Sequence, residues 1–169
     1  TFHAVNRLDK DTSGLVLIAK HRFAHSLMSK QQINKSIKRG YIAFVHGHVE
    51  KAELTINSPI GRNPDSIIER MVRDDGQPSI THFKKIDYCS AYDFSVVRLK
   101  LETGRTHQIR VHMSSIGHPL LGDDLYGGKM GLLDRQALHS EETIFTHPFT
   151  GEKIKLKVDC PKDMKDLWK

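Results

Sequence analysis

The sequence predicts an α+β fold: a central, largely antiparallel or mixed β-sheet flanked by helices. Three observations carry this expectation. Short runs at Lys38 to Gly47, Phe94 to Leu101 and Ile154 to Val158 sort their side chains to two faces at the period of a strand. Helical spacing is confined to two stretches, from Arg22 to about Lys35 and from Thr106 to Ile116. Strands and helices do not follow one another in the regular βαβ order of a parallel sheet.

Taken in order, Leu15-Val16-Leu17-Ile18-Ala19 is a short apolar run with β-branched residues, which predicts a buried strand. The helix after it places Phe23, Ala24, Leu27 and Met28 on one side. In the next strand Tyr41, Ala43 and Val45 point one way and Ile42 and Phe44 the other, so both faces are occupied. Glu53 to Tyr88 reads as shorter strands, with turns at Gly61-Arg62-Asn63-Pro64 and Asp74-Asp75-Gly76. From Phe94, Val97, Leu99 and Leu101 lie opposite Arg98 and Lys100. Gly104 turns the chain, Thr106 is the expected N-cap, and Ile109, Met113 and Ile116 form the stripe of a helix ended by Gly117 and Pro119. Ile154, Leu156 and Val158 then alternate with Lys153, Lys155 and Lys157, a half-exposed strand.

No repeat, linker or low-complexity stretch divides the 169 residues, so 1–169 is expected to be one domain with a real core. Hydrophobic residues make up 38% and charged residues 27%, which excludes a disordered chain. The longest apolar run is far too short to span a bilayer, and no basic-then-apolar leader opens the chain. Cys89 and Cys160 stand alone, without CxxC pairing, and are expected to be reduced in a cytoplasmic protein. The net charge of +6 suits a polyanionic partner, because lysine and arginine release counterions when they neutralise phosphates. A merely basic surface would show the same charge.

Chemistry concentrates in two segments, Arg7 to Gly14 and Gly104 to His112. Asp9 sits between Arg7 and Lys10 in a polar, tightly turned loop. Such an aspartate alone is a turn residue; in this company it is a candidate nucleophile, general base or metal ligand. His107 and Arg110 lie three apart on one helical face, and Thr106 and Arg110 four apart. Ile109 and Met113 put Arg110 near the core boundary, where an arginine needs a carboxylate partner. Tyr41 is either a core tyrosine or a ring placed to stack on a base beside an acid.

Together these residues resemble the RluA/RluD-type RNA pseudouridine synthases. The likeness rests on Arg7-Leu8-Asp9 through Thr12-Ser13-Gly14, on Lys38 to Gly47 with Tyr41, and on Gly104-Arg105-Thr106-His107-Gln108-Ile109-Arg110. Gly117-His118-Pro119, Gly122-Asp123 through Tyr126-Gly127, Leu138-His139 and His147-Pro148 extend it along the chain. The resemblance implies an isomerase that converts specific uridines in structured RNA to pseudouridine, without cofactor or metal, with large-subunit ribosomal RNA a likelier substrate than transfer RNA. It implies Asp9 as the catalytic carboxylate, Tyr41 stacked on the uracil, and Arg110 paired with Asp9. Arg105, His107 and Gln108 are expected to bind RNA backbone or orient the loop, and Arg7 to bind RNA by filling the place of an extruded base. The expected partner is RNA, not a membrane or a metal, and a monomer is taken as the working assembly. Asn6 stands where the family commonly has histidine. The chain also opens almost on the Arg7-Leu8-Asp9 motif, so the resemblance implies that it lacks an N-terminal strand of the catalytic sheet. Two rival expectations are a metal-dependent nuclease or phosphatase using Asp9, Asp11, Asp123 and Asp124, and a non-catalytic RNA-binding domain.

Overall fold

A computed structural model describes the chain from Thr1 to Lys169. Two short strands, β1 (His3–Ala4) and β2 (Ser13–Gly14), open the chain, followed by β3 (Ile18–Ala19) and helix α1 (Arg22–Ile33). Strand β4 (Lys38–His46) leads to β5 (Glu53–Asn57), the hairpin β6 (Ile60–Arg62) and β7 (Arg70–Val72), and the long pair β8 (Ile80–Cys89) and β9 (Phe94–Leu101). Helix α2 (Gln108–Ser115), a 3-10 turn (Asp124–Tyr126), β10 (Leu138–Thr146), β11 (Lys153–Lys157) and α3 (Lys162–Leu167) complete it.

The main sheet runs β11-β10-β4-β9-β8-β5, antiparallel throughout, and β2 joins β10 in parallel, so the sheet is mixed. The alternation in β4 sorts its residues between two cores. Tyr41, Ala43 and Val45 face Val97, Leu99, Phe83 and the α2 residues Ile109 and Met113. Ile42 and Phe44 face Phe94, Val96 and Met164 of α3. Phe44 and Phe94 stack with centroids 5.0 Å apart, an arrangement worth about 0.5–1.5 kcal/mol beyond the area it buries. A third cluster joins α1, through Ala24 and Met28, to Ala19, Val5 and Phe145. The sheet therefore carries α2 on one face and α3 on the other, the α+β arrangement expected.

Two expectations need correction. Leu15 to Ala19 is not a buried strand: only Ile18–Ala19 pairs, with β1, and Val16 and Ile18 are 44% and 53% exposed. The run lies on the rim, where just one of its faces meets α1. Thr106 does not cap α2; the cap position falls to His107, in the left-handed region at φ 56°. The reason is Gln108, whose buried side chain accepts from the Arg105 amide and ties the turn to the sheet instead. The end of α2 is as expected, with Gly117 at φ +85°.

Candidate active site

The loop carrying Asp9 is held against the start of β10. Gly14 lies so close to Ser140 that a Cβ would stand 2.3 Å from its carbonyl oxygen, and its φ of +116° is open to glycine. That contact lets β2 run beside β10, with Ser13 Oγ 2.9 Å from His139 Nδ1 and the Leu15 amide donating to the Ser140 carbonyl at 3.0 Å. Gln136 donates to the Lys10 carbonyl and to Thr12 Oγ1, and Arg135 donates to the Asp11 carbonyl. Asn6 is buried and accepts from the Leu17 amide at 2.8 Å, so it tethers the neighbouring segment as expected of the histidine it replaces. The loop is thus pinned on both sides, and the Asp9 side chain is left 25% exposed at its mouth.

Arg110 reaches the same place from α2. It is 7% exposed and gives a two-pronged pair to Asp123, Nε to Oδ2 at 2.8 Å and Nη2 to Oδ1 at 2.7 Å. Its remaining nitrogen, Nη1, stands 3.6 Å from Asp9 Oδ2, an ion pair rather than a hydrogen bond. Burial works against the charge on Arg110, and Asp123 followed by Asp9 outweighs it, raising the pKa above the ordinary value. The expected pairing with Asp9 is therefore present as the weaker of two contacts. The partner that satisfies Arg110 is Asp123. The guanidinium also lies 4.9 Å over the Tyr126 ring.

Tyr41 projects from the same face of the sheet as Leu99 and Ala43 and is 5% exposed. Burial raises its phenol pKa; Arg39 pulls the other way and Asp9 adds to the rise, so the phenol is neutral at pH 7. Asp9, Tyr41, Arg7, Arg105 and His107 line one cleft, closed by Leu8, Ile109 and Leu138. It opens on a groove of about 500 Å³ whose wall includes Lys35, Lys38, Arg39 and Arg105. An acid, a flat ring and cations thus meet at one apolar-floored opening.

Of the residues singled out in the sequence, Gln108 does not reach the cleft. It is 2% exposed, donates to the Ile80 carbonyl and Thr81 Oγ1, and accepts from Thr103 Oγ1 and the Arg105 amide. With its amide saturated, it holds the turn instead of binding RNA. Arg105 stays exposed at the rim, anchored to the Pro78 carbonyl. Three residues of the site were not foreseen in these roles: Arg39, Asp123 and Tyr126. Arg39 had a signal, since it precedes Tyr41 by two on a strand and shares its face. No group of three or more His, Cys, Asp or Glu side chains is placed to hold a metal ion. No helix is long and apolar enough to cross a membrane.

Comparison with known proteins fits this geometry. The profile of a family described as RNA pseudouridylate synthase matches residues 1–115, which include Asp9, Tyr41 and Arg110. The chain is 56% identical over its whole length to "Uncharacterized RNA pseudouridine synthase YjbO" of Bacillus subtilis, spanning 59% of that relative. It is 40% identical over 172 aligned residues to "Ribosomal large subunit pseudouridine synthase D" of Nitrosomonas europaea, spanning 96% of this chain and 49% of the relative. Among solved structures, "Human RNA Pseudouridylate Synthase Domain Containing 1" superposes with a TM-score of 0.83 at 30% identity, over 94% of this chain and 69% of that one. The chain thus spans 59% and 49% of the length of these two curated relatives. With the profile covering more than half of its residues and the fold shared, this chain belongs to the RNA pseudouridylate synthase family.

Proposed function

We propose that this chain carries the catalytic centre of an isomerase that converts uridine to pseudouridine in structured RNA, with Asp9 as its catalytic carboxylate. The observation that carries the reading is the placement of Asp9: a quarter exposed in a cleft beside Tyr41, and 3.6 Å from a buried arginine already committed to Asp123. A carboxylate left open in this way is free to meet a substrate.

The chemistry asks little beyond these side chains. The bond from ribose carbon 1′ to ring nitrogen 1 breaks, the held uracil turns, and carbon 1′ bonds to ring carbon 5. Carbon 5 gives up its proton and nitrogen 1 gains one, so product and substrate are isomers and no oxidant or group donor is consumed. Asp9 assists the breakage. Tyr41 offers its ring as the surface on which the uracil stacks. Arg110, fixed by Asp123, keeps positive charge beside Asp9. The base must first leave its stack, at a cost of a few kcal/mol that is least in a loop or bulge. Arg7, exposed at the rim, supplies a flat guanidinium for the vacated place. Lys35, Lys38, Arg39 and Arg105 give the RNA backbone a basic track into the cleft.

Large-subunit ribosomal RNA is the proposed substrate ahead of transfer RNA, on the strength of relatives named for that RNA. The same proposal places the chain in the cytoplasm as a monomer, without metal or cofactor. The test is to incubate unmodified large-subunit ribosomal RNA and transfer RNA with the chain and a chelator, digest to nucleosides and separate them. Pseudouridine in the ribosomal sample supports the reading. Pseudouridine in the transfer RNA sample alone reverses the substrate order, and RNA cleavage or phosphate release without pseudouridine, abolished by chelator, returns the metal-dependent alternative.

A further inference from the structure

We infer that His107 serves the site as a neutral hydrogen-bond donor to a carbonyl oxygen of the bound base, with Tyr126 as the positioning residue that fixes its tautomer. The inference rests on the reading of the Asp9 cleft as a uridine site.

The phenol of Tyr126 accepts a hydrogen bond from the Arg70 amide of β7 at 2.9 Å and stands 2.7 Å from His107 Nδ1. A phenol carries one proton, and that proton needs an acceptor. No other acceptor pairs with the Tyr126 hydroxyl, so it donates to Nδ1. Nδ1 is then bare and the ring's single proton sits on Nε2. Nε2 has no hydrogen-bond partner within the protein, and His107 lines the cleft shared by Asp9 and Tyr41. A cationic ring would aim a second donor at a hydroxyl that already receives one, and would strand the phenolic proton.

The surroundings agree. Burial opposes charge on His107 most strongly; Asp9 favours it, Arg110 and Arg70 oppose it, and Asp123 favours it more weakly, leaving the pKa below the ordinary imidazole value. The backbone also commits His107 to the cleft. It occupies the cap position of α2 at φ 56° and ψ 20°, yet its side chain makes no cap bond. A non-glycine residue in this region is uncommon. Here it turns the ring away from the helix end and onto Tyr126, whose ring meets it edge-on with centroids 5.6 Å apart.

A neutral N–H suits a base better than a phosphate. Cations for phosphate are already supplied at the rim by Arg7, Arg39 and Arg105. When the glycosidic bond breaks, negative charge develops on the uracil oxygens, and a fixed donor without charge of its own strengthens there without tightening on the RNA backbone.

Two measurements test this. The first is independent of activity: nitrogen-15 NMR of the histidine rings at pH 7, with His107→Gln used to assign the signal. The expected signature is a protonated Nε2 and a bare, hydrogen-bonded Nδ1, lost in Tyr126→Phe, which keeps the ring under Arg110. A protonated Nδ1 in the native chain overturns the inference whatever the activity. The second is single-turnover pseudouridine formation with RNA binding measured in parallel. His107→Ala is expected to slow turnover about 10²-fold with RNA affinity within about threefold, and His107→Gln, which restores an N–H, to recover most of it. Tyr126→Phe is expected to lose roughly five- to tenfold and to move the acid limb of turnover to higher pH than in the native chain, because Nδ1 loses the proton that keeps it an acceptor. If His107→Ala instead weakens RNA binding in a salt-dependent way with turnover unchanged, His107 is a phosphate contact and the inference fails. A native chain inactive on every RNA sinks the uridine reading, and with it the donor role, while the tautomer result stands separately.

Discussion

Asp9 and Asp123 are the same residue type against the same arginine, and their surroundings divide their work. Asp123 is 1% exposed and takes two short hydrogen bonds from Arg110; Asp9 is reached by one nitrogen at 3.6 Å. Removing one member of a buried pair strands the other's charge. Asp123→Ala is therefore expected to cost about 3–5 kcal/mol, read as a lower urea midpoint at unchanged slope, and to let Arg110 close on Asp9. The rim behaves differently. Arg7 is exposed and makes no ion pair, so Arg7→Ala is expected to leave stability within about 0.5 kcal/mol while slowing turnover on paired RNA more than on an unpaired loop. Equal slowing on both RNAs would remove the base-replacing role. Asp9, Tyr41 and Arg110 were legible in the sequence because they sit in short, specific motifs. Asp123 as the anchor was not, since a carboxylate 13 residues from its partner is sorted from Asp9 only by packing.

At the scale of elements, the site depends on two junctions. One is β2 against β10, which needs Gly14. An alanine there meets the Ser140 backbone at 2.3 Å and sits at φ +116°. Gly14→Ala is expected to cost more than the roughly 1 kcal/mol of an ordinary glycine exchange and to shift the Asp9 loop. Far-ultraviolet circular dichroism that stays native alongside a fall in turnover would locate the damage in the loop. The other junction is the turn into α2, where Gln108, Thr81 and His112 form a buried chain: Gln108 donates to Thr81 Oγ1, which lies 2.8 Å from His112 Nδ1, while His112 Nε2 donates to the Ser58 carbonyl. Strands β4 and β9 were readable to within a residue because their alternation meets a core on both sides of the sheet. Leu15 to Ala19 was misread because a short apolar run looks the same buried or at a rim. The start of α2 was misread because a buried glutamine took over the work of a cap.

Across the whole molecule, titration follows from burial. His46, His107, His112 and His139 all have pKa values below the ordinary imidazole value, with burial the leading cause in each. The unfolded chain then binds more protons than the folded one once pH falls below about 6.5. Stability is fully present above that pH and declines as pH drops through the folded pKa values. Melting temperature is expected to fall between pH 7 and pH 5. The aspartates with lowered pKa values, Asp75, Asp87, Asp159 and Asp166, are solvent-exposed and act only at lower pH. The thiol of Cys160 is pushed up to about 11 by burial, so it contributes nothing in this range. The basic groove beside the cleft adds a second global expectation: under the proposed function, RNA binding should weaken as salt rises.

In the proposed function, Asp9 performs chemistry on a uridine that the rest of the chain holds in place. The most direct measurement is release of tritium from uracil carbon 5 of labelled large-subunit ribosomal RNA, with native chain and Asp9→Asn side by side and RNA binding recorded for both. Release by the native chain is expected, with loss of at least about 10³-fold in Asp9→Asn and binding that changes little. Release that survives in Asp9→Asn would contradict the proposed function, because the carboxylate would then be a turn residue and the reaction would have to be assigned to another group.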